Sequence, residues 1–118
     1  MHATTVAIDL AKDVFELAFA DPAGRILERK RLSRRAFSRV LESRSPMEVV
    51  MEACGSAHYW GRRFQACGHA VRLLPPRDVR PYVRGNKTDR ADAARLVEAA
   101  RSPQISEVPV KTPRQQGL

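Results

Sequence analysis

The sequence predicts an α/β domain built on a mixed five-stranded sheet, with elements in the order βββαβαβα and helices on both faces. Three observations carry that prediction. Two strand-like runs near the N-terminus are joined by the turn sequence Asp21-Pro22-Ala23-Gly24. Two later strand-like runs each follow a segment of helical period, and a last helical segment closes the pattern. Hairpin-linked strands lie antiparallel and strands reached through a helix return parallel, so the sheet must be mixed.

Thr5 to Ala11 (TVAIDLA) is a short apolar run of the kind that fills a central strand buried on both faces. Val14 to Ala20 and Arg25 to Leu32 are the next two strands. Between them Pro22 suits the second position of a type I turn, and Gly24 tolerates positive φ. The third strand is heavily charged, as an exposed edge would be. Ser33 is placed to cap a helix whose apolar face is Phe37, Val40 and Leu41. Met47 to Ala53 is the fourth strand. From about Ser56 a second helix follows, with Trp60, Phe64 and Cys67 on one face and Gly68 as its C′ residue. His69 to Leu74 is the fifth strand, ended by Pro75 and Pro76, and a proline- and arginine-rich connector leads to a last helix from Lys87 to Ala100.

A chain of 118 residues suits one domain, and at that size folding buries roughly two-thirds of the accessible surface. Residues 1–102 read as the domain, and 103–118, with three prolines and no period, as a tail or the start of a following region. Lys and Arg number 21 against 13 Asp and Glu, giving a net charge of +8 and an isoelectric point near 10.5. Such a balance favours a polyanionic partner. Cys54 and Cys67 form no CxxC pair and read as reduced cytosolic thiols rather than zinc ligands. With no secretory leader pattern and no apolar run of about 18 residues, the expectation is a cytoplasmic, nucleoid-associated protein without a membrane partner.

The chemistry concentrates in four acids. Asp9 falls inside the first, apolar strand, where an unpaired carboxylate would cost several kcal/mol unless a partner or cation compensates. Glu52 closes the fourth strand, where ligands gather in βαβ arrangements. Asp89 and Asp92 project from the first turn of the last helix on the side of Leu96 and Ala100. Each has a plainer reading: helix-dipole preference for the two aspartates, a strand-end ion pair for Glu52. Brought together, four carboxylates would repel by roughly 4 kcal/mol per close pair at an effective dielectric near 20. Two Mg²⁺ or Mn²⁺ ions would remove that repulsion and suit in-line attack at a phosphodiester.

Three blocks, AIDLAKD, MEACGSAHYW and KTDRADA, resemble the signature blocks of the DEDD-type insertion-sequence transposases, a RuvC-like family that includes the Piv-type DNA invertases. The resemblance implies a ribonuclease-H-like fold, Mg²⁺ dependence, and a catalytic and metal-binding tetrad of Asp9, Glu52, Asp89 and Asp92. It implies DNA as partner, a structured guide (bridge) RNA, and homo-oligomerisation of the full-length protein. Ala7 stands where glycine is common. Family members resemble this chain only in their N-terminal part and carry a nucleophilic serine in a C-terminal domain; Ser102 and Ser106 take no such role. The expectation is therefore the catalytic N-terminal domain of a DNA transposase or site-specific recombinase, incomplete as an enzyme without that second domain. A free-standing RuvC-like nuclease or resolvase and a catalytically silent nucleic-acid-binding remnant stay open as alternatives. A sugar-kinase-like half-domain is excluded, because its phosphate hairpin needs glycine and DLAKD has none.

Around the last helix a basic set with one aromatic, Arg77, Arg80, Tyr82, Arg84, Lys87 and Arg90, is placed to hold phosphates, with Tyr82 able to stack on a base or sugar. Arg72 falls in the same cluster, and Lys12 follows the first aspartate closely enough to meet a phosphate. A second cluster, Arg29, Lys30, Arg31, Arg34, Arg35 and Arg39, reads as a solubilising edge, and His58 as a capping or packing residue.

Overall fold

The structure, a computed structural model, describes residues 2–10, 13–82 and 89–118, and of residues 89–92 the backbone alone. The strands are β1 (Thr5–Asp9), β2 (Val14–Ala20), β3 (Ile26–Ser33), β4 (Glu48–Glu52) and β5 (Ala70–Leu74). The helices are α1 (Arg34–Val40), α2 (Gly55–Ala66), α3 (Pro76–Val79) and α4 (Asp89–Ala100), with a 3-10 turn at Arg80–Tyr82. Across the sheet the order is β3-β2-β1-β4-β5. β1 pairs antiparallel with β2, and β2 with β3; β1 pairs parallel with β4, and β4 with β5. The mixed sheet expected from the sequence is the one observed, with charged β3 on its rim.

Local chemistry explains the joints. Asp21 closes the β2–β3 turn: its carboxylate accepts from the N–H groups of Ala23 (3.0 Å) and Arg25 (2.9 Å), and Gly24 takes φ +89°. The Ser33 hydroxyl accepts from Ala36 N–H at 3.3 Å and starts α1. His69 ties the end of α1 to the start of β4. Its Nδ1 accepts from Met47 N–H (3.1 Å), so Nε2 carries the proton donated to Leu41 O (2.7 Å).

Strand alternation gives the two faces different cores. Toward α1 and α2 point Val6, Ile8, Phe15, Leu17, Phe19, Val49 and Met51, packed on Phe37, Leu41, Trp60 and Phe64. Phe37 stacks on Phe15 at 4.3 Å between centroids and meets Trp60 and Phe64 edge-on. Toward α4 point Ala7, Ala18, Ala20, Val50 and Leu74, facing Ala93, Leu96, Val97 and Ala99. Small side chains on both partners let this helix lie close to the sheet.

α4 runs antiparallel to β1. Its C-terminal end meets the start of β1 and the β2–β3 turn: Thr5, Asp21, Pro22 and Gly24 line one pocket with Val97, Ala100 and Arg101, and Arg101 donates to Pro22 O at 3.0 Å. A Cβ on Gly24 would come within 2.7 Å of the Arg101 side chain. Twelve residues of helix rise about 18 Å and five of strand about 16 Å, so α4 begins level with the carboxyl end of β1.

Three features depart from the sequence reading, and a fourth adds a contact that it did not describe. β1 stops at Asp9, so that residue is not interior to a buried strand but ends it, half-buried. Cys67 is the exposed C-cap of α2 rather than part of its buried face, because the helix has finished one residue earlier and Gly68 (φ +95°) turns the chain away. The connector after β5 holds α3, begun by Pro76 at its first turn and anchored by buried Val79. Residues 103–118 lie against the domain. Val108 N–H donates to Leu73 O (2.7 Å), and Val110 packs 3.3 Å from where a Gly61 Cβ would stand. Arg62 donates to Lys111 O (2.6 Å) and Gln116 Oε1 (2.7 Å).

Phe37, fully buried among three aromatic rings, is the center of the larger core. Phe37→Ala should lower the unfolding free energy by about 3–5 kcal/mol, read as a fall in urea midpoint at unchanged slope.

Candidate active site

The carboxyl ends of β1 and β4 bring two of the four acids side by side. Ile8 lies beside Met51 in the parallel register, so the next step along each strand sets Asp9 beside Glu52. Both follow, by two residues, positions that pack under α4 (Ala7 and Val50), and so both belong to the α4 face. Asp9 is half-buried and Glu52 exposed. α4, whose first turn contains Asp89 and Asp92, begins at this same end. The side chains of Asp89, Arg90 and Asp92 are not among those described, and Lys12, Arg84 and Lys87 lie outside the described residues altogether. Among the described residues no three Asp, Glu, His or Cys side chains gather closely enough to hold a metal ion.

A third acid at this end escaped the sequence reading. Glu16 on β2 stands opposite Asp9 in the antiparallel register and on the same face, and is only 2% exposed. Its Oε1 forms an ion pair with Nε of Arg31, its register partner on β3, at 2.7 Å. The signal was present in VFELAFA, where period two puts Glu16 in line with Ala18 and Ala20; the apolar run around it masked the charge.

The basic residues divide. Arg77 on α3 and Arg80 in the 3-10 turn follow the carboxyl end of β5, which is in register with Glu52, and both are exposed. Tyr82 is half-buried against the core under α4. Arg72 belongs to the far side of the domain, where it donates to Ala100 O (2.9 Å) and pairs with Glu107 (3.2 Å) and Glu48 (3.6 Å). It is a structural clamp, placed apart from Arg77 and Arg80.

His58, in the first turns of α2, is buried, and its Nδ1 accepts the N–H of Lys111 at 3.0 Å. It therefore holds the 103–118 segment. Burial, followed by the charges of Lys111 and Arg62, lowers its pKa below the ordinary imidazole value.

A family model described as Transposase, of the DEDD type, matches residues 6–118. A probable family 20 transposase from Pseudomonas aeruginosa is 42% identical over 118 residues, covering 100% of this chain and 35% of that protein. The transposase for insertion sequence element IS1111A from Coxiella burnetii is 40% identical over 113 residues, covering 96% of this chain and 31% of that protein. The chain thus spans about a third of the length of the curated relatives it matches. T. thermophilus RuvC in complex with a Holliday junction substrate is similar with a TM-score of 0.58 and 13% identity, over 91% of this chain and 100% of that one. The fold is therefore RuvC-like, of the ribonuclease-H type. No helix among the described residues is long and apolar enough to cross a membrane.

Because the native state favours neutral His58, its contribution to stability is full above the unfolded pKa of 6.5 and is lost as pH falls through the lowered native value. Melting temperature should drop between pH 7 and pH 5, and His58→Gln should flatten that drop; parallel thermal melts of the two proteins measure the difference.

Proposed function

The chain belongs to this transposase family, and from that premise we propose that it is the metal-dependent domain that engages DNA and cleaves or transfers its phosphodiester bonds during insertion-sequence transposition. The observation that carries the reading is the adjacency of Asp9 and Glu52 at the ends of neighbouring parallel strands, on the face and at the end where α4 begins. Asp9, Glu52, Asp89 and Asp92 would hold the metal. All four offer hard carboxylate oxygens without sulfur or imidazole, the donor set that suits Mg²⁺ or Mn²⁺, and four acids suit two ions. Bound there, the ions would activate the attacking oxygen and neutralise charge at the phosphate.

The protein's own residues would do the rest. Arg77 and Arg80, with Lys12, Arg84, Lys87 and Arg90, would hold the DNA backbone beside the acids, and Tyr82 would pack against a sugar. Glu16 and Arg31 would fix the β2 side of the site, keeping one more negative charge paired away from the metal. DNA as partner accords with the junction-bound state of the RuvC relative. Residues 1–102 would form the catalytic unit and 103–118 lead into the rest of the transposase. That remainder would complete the reaction in a homo-oligomer, with a structured RNA supplying target choice.

Two measurements test this. Mg²⁺ or Mn²⁺ should raise the melting temperature, and Asp9→Asn combined with Asp92→Asn should remove the gain; a gain that survives in the double variant would sink the metal site. DNA affinity should fall linearly with salt on a double-logarithmic plot. Salt-independent binding, or none at low salt, would refute the basic surface.

A further inference from the structure

The end of the sheet that carries Asp9 and Glu52 has a second side, facing α1 and α2. β3 ends at Ser33, paired with Val14, so α1 starts at this end, and α2 starts here too, just after Glu52. Between them lies a groove of about 630 Å³ lined by Arg34, Arg35, Ser38, Tyr59, Trp60 and Arg63. Tyr59 is 47% exposed, although Trp60 next to it is buried in the aromatic core. The two rings meet edge-on at 5.1 Å, which props the tyrosine at the surface. Arg63 lies over the Trp60 ring at 5.5 Å and is held from behind by Glu42 and the Ser38 carbonyl, each at 3.5 Å. Arg34 lies over Phe15 at 5.5 Å. Neither α1 nor α2 has an acidic residue in its first turn.

An exposed aromatic ring among three arginines combines the two contacts that a nucleic-acid strand needs when its bases are free. Guanidinium groups take phosphates, and a ring stacks on any base. A duplex keeps its bases stacked on one another, and a concavity of this size suits a small organic group. We propose that this groove binds an unpaired stretch of nucleic acid, with phosphates on Arg34, Arg35 and Arg63 and a base against Tyr59. The inference rests on the nucleic-acid reading above and extends it: a strand leaving the acidic end on the α4 side would continue over the rim onto α1 and α2.

The test is fluorescence anisotropy of the 118-residue chain in EDTA, with a labelled single-stranded DNA, the RNA of the same sequence and the corresponding DNA duplex. Tyr59→Ala and Tyr59→Leu should each weaken single-strand binding roughly 5- to 150-fold, and Tyr59→Phe should retain it. The leucine variant keeps apolar bulk, so a folding defect in the alanine variant does not blur the result. Duplex affinity should stay within about twofold, the stacking term being absent from it. Arg35→Ala should lower the single-strand salt slope by about 0.7. Tighter binding of the RNA or of the DNA strand identifies which of the two the groove takes. Single-strand affinity unchanged in Tyr59→Leu, or reduced equally for duplex, overturns the proposal. Wild-type protein that binds the duplex and gains stability from Mn²⁺ but ignores single strands removes this groove alone. Failure to bind any of the three removes the nucleic-acid reading itself.

Discussion

Parallel pairing of β1 with β4 sets Thr5 beside Glu48 and Ile8 beside Met51, and most of the molecule is arranged around that contact. A parallel neighbour requires a crossover that carries the chain back to the starting end. Here it is made by the β2–β3 hairpin and α1, which fill the far half of the sheet on the way. The same pairing aligns the carboxyl ends of two strands, and a side chain one step beyond the ladder on each must then stand beside the other. Slipping the register by one residue would put Asp9 and Glu52 on opposite faces. The large apolar side chains of Val6, Ile8, Val49 and Met51, all fixed toward α1 and α2, resist that slip.

The two cores divide the work of holding this arrangement. Interlocked rings on one side, Phe15, Phe37, Trp60 and Phe64, fix α1 and α2 through area and shape. On the other side alanines meet alanines, with less area per residue. α4 is then secured at its C-terminal end by polar ties, Arg72 to the Ala100 carbonyl and Arg101 to the Pro22 carbonyl. Its other end starts at the end of the sheet that carries Asp9 and Glu52.

The strands and the joints between them were legible because each rested on local chemistry: the Asp21 turn, the Ser33 cap, and glycine at 68 where φ is positive. Asp9 and Glu52 were legible as candidates, but their meeting depended on β1 and β4 being neighbours, and it is the pairing and its register that set them side by side. What escaped depended on contacts between distant segments. Nothing local says that β1 should stop at Asp9. Nor does local sequence show that Glu16 will be buried opposite Asp9, because that needs the hairpin register and an arginine from the third strand. The segment from 103 onward has no period of its own, and its order comes from Leu73, Gly61, His58 and Arg62, all far away in sequence. Cys67 misled because helical spacing continues one residue past the point where the helix ends.

The bridge between Leu73 and Val108 has a consequence for how the domain meets other proteins. One rim of the sheet is β3, whose outward residues include Glu28, Arg29 and Arg31. At the other rim, the β5 backbone is engaged by the returning chain at Val108. A foreign strand seeking to extend the sheet would meet charge on one side and an occupied ladder position on the other. Association, with another copy or with a following domain, is thereby steered toward side-chain surfaces and helix faces, where sequence can dictate the partner, and away from backbone pairing, which discriminates poorly among them.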